Sequence, residues 1–343
     1  MPSKLKLKWI AALFAAAALL ALPAAAQATL TYVKNPFNST VFVASDDGSG
    51  AHKVGKGYNA HVSPDGLTVV FLHEGKNHAQ EMWAVPAAGG ASRTLLKPWR
   101  DSYLLAYSPD SKTIAAMRGP ELGKRKLILI DVATGAQRLI ATGFFSGFSF
   151  SPDSTELVYS MAGSERYPPR SDIYRAATVG GKPVRITKDQ ISQDPLWGPN
   201  GKIVFVKMLG AKKRKYGPKS ELFLMNPEGK QVKRLTHTKV GALLVGLFPT
   251  DWSADGTRLL AEFQGQDTSY AVTVNPQTGA QRTVKKAGEV GFVGTALSAD
   301  GTTVLGFTGG FEPGPNRNVA TVPYSGGKLK VLVENAFEPD WSR

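Results

Sequence analysis

Four of the chain's five histidines, His52, His61, His73 and His78, fall within 27 residues of one another, with His237 apart. Clustered imidazoles are a residue type that can hold a divalent metal, and a bound metal can polarise a substrate or activate water. Their spacing matches no metal-ligand pattern, so the sequence favours packed or solvated histidines and no cofactor; a metal, were one present, would use His61, His73 and His78. Other routes to catalysis are thinner. There is no cysteine for thiolate chemistry, disulfides or lipid attachment. The run Gly143-Phe-Phe-Ser146-Gly147 is Gly-x-x-Ser-Gly, which misses the Gly-x-Ser-x-Gly spacing of a nucleophile elbow.

Charge is the more informative feature. Residues 207–219 carry six basic residues, Lys207, Lys212, Lys213, Arg214, Lys215 and Lys219, and no acid. Arg118, Lys124, Arg125 and Lys126 cluster around the single acid Glu121, and Arg166 and Arg170 accompany Glu165. Clustered cations steer and bind polyanions. The expected partner-binding residues are therefore Arg118, Lys124, Arg125, Arg166, Arg170, Lys212, Lys213, Arg214 and Lys215.

A repeat positions these side chains. Ser-Pro-Asp-Gly at 63–66 returns as Ser-Pro-Asp-Ser at 108–111 and 151–154, Gly-Pro-Asn-Gly at 198–201, and Ser-Ala-Asp-Gly at 253–256 and 298–301. The steps between the third residues are 45, 43, 47, 55 and 45, a period that marks a propeller or another array. Proline presets φ, Asp or Asn bonds back to nearby N–H groups, and glycine accepts positive φ, so each tetrad is a hairpin tip between apolar strands. The recurring acids Asp65, Asp110, Asp153, Asp255, Asp300 and Asp340 thus read as turn residues before they read as a ring of carboxylates. Between tetrads lies a second strand pair with a turn glycine, at Gly50, Gly90, Gly135, Gly181, Gly229, Gly279 and Gly327.

Seven such turns against six tetrads are explained by the ends of the chain. Residues 336–343 match the strand that enters a tetrad, and residues 29–56 supply three strands without a first one. Pairing the last strand with the first three closes a ring and removes exposed edges. The expectation is an all-β, seven-bladed β-propeller of four-stranded blades, with six blades as the alternative. Trp83, Trp197, Trp252 and Trp341 then pack between sheets, while Trp99 beside Arg100 is the candidate exposed aromatic.

Phe-Ser-Pro-Asp-Ser-Thr-Glu-Leu-Val-Tyr (150–159), Trp-Ser-Ala-Asp-Gly-Thr-Arg-Leu-Leu (252–260) and Gly-Gly-Lys-Pro-Val-Arg-Ile-Thr (180–187) resemble the WD40-like, or PD40, repeats of TolB-like propellers. The resemblance spans residues 29–343 and implies the fold; the same repeats serve transport accessories, peptidases and polysaccharide lyases. On this reading neither the α/β domain that precedes the TolB propeller nor the α/β-hydrolase domain that propeller peptidases need is expected within the 343 residues. Seven-bladed oligogalacturonate lyases, in the same group, hold a divalent metal with histidines and a glutamine, which makes a metal-assisted lyase or hydrolase on acidic polysaccharide the alternative function.

The N-terminus reads as an address. Lys4, Lys6 and Lys8 precede an apolar run at 9–22, and small residues at 23–28 suit cleavage after Ala26 or Ala28. Residues 1–28 are the expected signal peptide and 29–343 one propeller domain. The formal charge of +14 falls by three to +11 when that segment leaves. The expected product is a monomeric periplasmic or secreted bacterial protein without a membrane anchor, binding an envelope protein or an anionic envelope polymer rather than nucleic acid.

Overall fold

Apolar residues run without alternation through the strand that follows a tetrad: Val69, Val70, Phe71 and Leu72 are buried, as are Ile114, Ala115, Ala116 and Met117. A strand solvated on one face would alternate, so these strands are covered on both. The computed structural model describes residues 28–343 apart from 76–78, 100–101, 121–122, 165–169, 211–216, 242–243, 267, 285–290, 310–316 and 343. No helix occurs among the described residues, and the chain is built from antiparallel meanders. The signal segment expected at 1–28 lies outside them except for its last residue.

The first meander, β1 (Thr29–Lys34), β2 (Thr40–Ser45) and β3 (His52–Lys56), takes the C-terminal strand β27 (Ala336–Trp341) on its inner side, in the order β27-β1-β2-β3. Next come β4 (Tyr58–Val62), β5 (Thr68–Glu74), β6 (Gln80–Pro86) and β7 (Arg93–Trp99). A seven-stranded sheet follows, from β8 (Ser102–Tyr107), β9 (Thr113–Arg118) and β10 (Arg125–Asp131) through β11 (Gln137–Phe150) to β12 (Glu156–Ala162), β13 (Ser171–Ala177) and β14 (Val184–Arg185). Its long strand β11 ends one meander and begins the next, pairing β10 with its first half and β12 with its second.

In β15 (Ser192–Trp197), β16 (Ile203–Leu209), β17 (Lys219–Met225) and β18 (Lys233–Arg234), then β19 (Leu244–Trp252), β20 (Leu259–Gly265), β21 (Ser269–Val274) and β22 (Gln281–Thr283), a single parallel bridge, Ser220 to Gly246, joins two meanders. The set ends with β23 (Val293–Leu297), β24 (Thr303–Phe307), β25 (Val319–Pro323) and β26 (Lys330–Val333).

The meanders stack face to face. Val70, Leu72 and Met82 meet Leu105, Ile114 and Ile128. Val204, Val206 and Leu222 meet Leu247, Leu259 and Ala261, and Leu30 and Tyr32 meet Ala296, Leu305 and Val319. Two of the fourth strands, β14 and β22, are short and solvated. This is the arrangement of a β-propeller. Trp197, Trp252 and Trp341 are buried in it, as expected.

The tetrads behave as their chemistry dictates. Asp65 Oδ1 accepts from the Ser63 hydroxyl at 2.5 Å and from the Leu67 N–H at 3.0 Å, and the Ser63 hydroxyl accepts the Thr68 N–H. The same clasp recurs at Ser108–Asp110, Ser151–Asp153, Ser253–Asp255 and Ser298–Asp300. The serine hydroxyl bond leads the effects that hold the carboxyls of Asp153 and Asp300 below the usual carboxylate range and that of Asp255 at about 2. Ser111 and Ser154 adopt the left-handed φ of 63° that glycine takes elsewhere. Each hydroxyl repays the strain by accepting the N–H of the preceding turn's aspartate, Asp65 or Asp110, at 3.1 Å.

All seven turn glycines named above have positive φ. Gly279, at +75°, also presses on its neighbour: an added Cβ would overlap the Leu235 carbonyl oxygen of the preceding meander. Gly279→Ala should cost more than about 1 kcal/mol, because strain and clash add. A urea-unfolding midpoint unchanged by the substitution would contradict this packing.

Candidate functional site: axial cavities and a basic loop face

Every first strand among the described residues carries at least one extra residue relative to its partner. The register breaks between Tyr58 and His61 in β4, Phe145 and Phe148 in β11, Gln193 and Leu196 in β15, and Pro249 and Asp251 in β19. It breaks likewise in β8 and β23, and opposite Thr31 and Val33 in β27. A bulge re-aims the side chains beside it. Asn59, Asp194 and Glu338 each lie four residues before a tetrad's first position or its equivalent and have φ of 50°, 48° and 50°. Non-glycine residues held there are strained, and such strain gathers at functional positions.

At the tetrad end, the first strands line a cavity of about 510 Å³ whose walls include His61, Tyr107, Phe148, Trp197, Asp251 and Asp340. Its acids are already engaged. Asp340 accepts the N–H of Trp341 at 3.0 Å and of Val62 at 3.1 Å; Asp251 likewise takes Trp252 and Leu297, both at 2.8 Å. Ser149 does the same for Trp197 at 3.0 Å. One side chain thus links successive first strands. Asp340 therefore corresponds to Asp251 and not to the turn aspartates with which its spacing groups it.

His61 Nδ1 lies 3.4 Å from Asp340 Oδ2, and Nε2 lies 3.1 Å from Asn59 Oδ1. Burial alone would lower its pKa, but the hydrogen bond and charge of Asp340, with the charge of Glu338, hold it above the ordinary histidine value. Glu338 accepts the Asn59 N–H at 2.6 Å, and burial raises its carboxyl. Asp194 is pushed up to about 6 by burial, against hydrogen bonds from Ser146 and Gln193. Ser146 itself bonds Ser160 at 2.7 Å.

A second cavity, about 800 Å³, opens at the other end, lined by Phe37, Lys56, His73, Glu74, Arg317 and Glu338 among others. His73 Nδ1 meets the Lys56 carbonyl at 3.0 Å, and its ring rests 4.5 Å from Trp83. His61 and His73 therefore open into different cavities. His52 is tied to the Ala87 carbonyl at 2.9 Å on an outer strand, and His78 lies outside the described residues. No group of three candidate metal ligands occurs among the described residues.

The basic residues belong to the connections between second and third strands, at the end opposite the tetrads. Arg118 ends β9 and pairs in register with Lys126; Arg125 begins β10 and donates to the Pro120 carbonyl at 3.2 Å. Lys124, Lys126 and Arg170 are exposed. Arg166, Lys212, Lys213, Arg214 and Lys215 lie outside the described residues, as does the side chain of Trp99. Three acids at this end are held by cations: Asp172 by Arg185, Asp189 by Lys207 at 2.7 Å, and Glu221 by Lys219 at 2.8 Å and Arg234 at 2.9 Å. Sequence reasoning missed Arg234 and Lys239 beside Lys219; the signal was Arg-Leu-Thr at 234–236 echoing Arg-Ile-Thr at 185–187.

No protein-family model matches this chain, and no curated protein does. Among solved structures it is similar to the β-propeller domain of the trilobed protease from Pyrococcus furiosus, with 16% identity, 90% of this chain and 92% of that one covered, and a TM-score of 0.66. It is also similar to TolB from Acinetobacter baumannii, at 16% identity over 91% and 82% of the two chains with a TM-score of 0.57. An oligogalacturonate lyase in complex with manganese gives 14%, 90%, 85% and 0.59 for the same quantities. What these chains share with it is the fold, a TolB-like β-propeller.

Proposed function

We propose that this chain is an exported, non-catalytic TolB-like propeller of seven blades that binds an anionic envelope polymer or an acidic envelope protein through its basic loop end. In this reading a signal peptide is cleaved after Ala26 or Ala28, and β27 closes the ring. Closure is supported by contacts that run in order from β4 to β8, β11, β15, β19, β23 and β27, and from β27 back to β4. The observation that carries the binding reading is the division of charge between the ends. Tetrad carboxylates are consumed by their own turns, whereas at the other end Asp172, Asp189 and Glu221 are paired with cations and Lys124, Lys126, Arg170 and Lys188 are exposed.

Replacing Lys212, Lys213, Arg214 and Lys215 with serine should lower affinity for a polyanion such as long-chain polyphosphate at least about tenfold. The melting temperature should stay within a degree or so, since solvated loop substitutions rarely exceed about 0.5 kcal/mol. Equal affinity in the variant would return the loop to plain surface. Stoichiometric divalent metal in the purified protein would favour the lyase or hydrolase alternative instead.

A further inference from the structure

One group of donors at the basic end converges on a single buried carboxylate. Glu221, fully buried, begins the clasp: Oε1 takes Lys219 Nζ at 2.8 Å and Arg234 Nη2 at 2.9 Å, while Oε2 takes the Thr236 hydroxyl at 2.7 Å and the Thr238 N–H at 3.1 Å. Lys219 Nζ also donates to the Thr238 carbonyl and Arg234 Nε to the Thr236 carbonyl. Two cations are thereby fixed without being used up. The ammonium retains one of its three hydrogens, and the guanidinium three of its five. Both line a cavity of about 430 Å³ whose other walls are His237, Thr238, Lys239 and Val240. Counting Lys239, three cations face one buried carboxylate.

The preceding blade supplies an internal control. Arg170-Ser-Asp172 matches Lys219-Ser-Glu221, and Arg185-Ile-Thr-Lys-Asp189-Gln190 matches Arg234-Leu-Thr-His-Thr238-Lys239. The clasp itself recurs there: Asp172 holds Arg185, the Thr187 hydroxyl at 3.2 Å and the Gln190 N–H at 3.1 Å. Where the later copy has Thr238 and Lys239, however, the earlier has an acid, Asp189, and a neutral amide, Gln190. Asp189 takes Lys207 into an ion pair. Folding is thus satisfied by either set, and the two differ in that the earlier one carries a second carboxylate, Asp189, where the later has Thr238.

We propose that Lys219, Arg234, His237, Thr238 and Lys239 form a binding site for a single phosphate group. Residual donors come from two strands and the loop after β18, which suits a tetrahedral oxyanion with several acceptor oxygens better than a planar carboxylate with two. The net charge of +2 around the cavity matches a phosphate dianion. This site deepens the polyanion-binding reading, because it would take one phosphate of a polymer whose remaining charges meet the neighbouring loops, or free phosphate.

Thr238→Asp imports the carboxylate of the earlier blade and leaves both backbone bonds of residue 238 in place. Titration of the full chain with inorganic phosphate, sulfate, long-chain polyphosphate and oligogalacturonate, followed by calorimetry, separates the outcomes. Phosphate should bind the parent, and Thr238→Asp should weaken it at least about tenfold, with Thr238→Asn retaining it and melting temperatures unchanged. Lys239→Ser, which touches no part of the clasp, should also weaken phosphate binding. Phosphate binding unaffected by Thr238→Asp, or oligogalacturonate binding in its place, overturns the site. Phosphate binding that Thr238→Asp abolishes, beside polyphosphate no tighter than phosphate, upholds the site and sinks the broader face. Tighter polyphosphate that depends on the 212–215 loop but not on residue 238 does the reverse.

Discussion

Deleting residues 336–343 should leave a chain that neither melts cooperatively nor stays monodisperse. β27 pairs along β1 from Leu30–Trp341 to Lys34–Ala336, and Ser342 closes the ladder with its N–H on the Thr29 carbonyl at 2.9 Å and its hydroxyl accepting the Thr29 N–H at 2.8 Å. The strand also buries Ala336, Phe337 and Trp341, the last against Leu30, Ala296 and Leu305. Removing one large aromatic from a core costs about 3–5 kcal/mol, and two approach the whole stability of an ordinary domain, about 5–15 kcal/mol. The loss also uncovers the edge of β1, an open template for association. Trp341→Ala is the milder test, with an expected cost of about 3–5 kcal/mol. A deletion variant that melts like the parent would contradict closure, and with it the count of seven blades.

Glu221→Ala should be the most damaging single substitution of a polar residue. It leaves the Thr238 N–H and the Thr236 hydroxyl without their acceptor and sets Lys219 beside Arg234 with nothing between them. Breaking a buried ion pair from one side costs about 3–5 kcal/mol. The loss should depend on pH in a definite direction. Burial works against the charged form of Glu221, but hydrogen bonds from Lys219, Thr236 and Thr238 and the charge of Lys219 outweigh it, so its pKa lies below that of a free glutamate. A depressed carboxyl contributes stability that is fully present above its unfolded pKa, about 4.3, and is lost as pH falls through the folded value. The gap between parent and Glu221→Gln in urea unfolding should be constant from neutrality down to about pH 5 and shrink below about pH 4. A gap that widens on acidification would mean the carboxylate is not stabilised in the fold.

How much of this was legible in the sequence depends on the range of the interaction. The tetrads and turn glycines were, because Ser63, Asp65 and Gly66 satisfy one another within five residues. The pairing of the C-terminal strand with β1 was legible by analogy, since Phe-Glu-Pro-Asp-Trp-Ser at 337–342 echoes Phe-Pro-Thr-Asp-Trp-Ser at 248–253. That comparison also held the correct role of Asp340, which spacing from the tetrads obscured. The bulges were not legible. Glu338 takes its bond from Asn59, 279 residues away, and nothing local marks either as left-handed. Pairing of His61 with Asp340 across 279 positions, and separation of His61 from His73 within one hairpin, likewise depend on how the meanders are assembled. The clasp at Glu221 lay between, visible as a repeated Arg-x-Thr whose partner is a strand away.

Recognition of negative charge by the end opposite the tetrads is the proposal from which the other binding predictions follow. The salt dependence of polyphosphate binding by this chain is its decisive test. Each cation engaged releases a counterion, so the logarithm of affinity should fall linearly with the logarithm of salt concentration, with a loss of at least about tenfold between roughly 50 and 200 mM. The slope should become shallower when Lys212, Lys213, Arg214 and Lys215 are serine. Affinity that stays level across that range, or a slope the substitutions do not change, would contradict it.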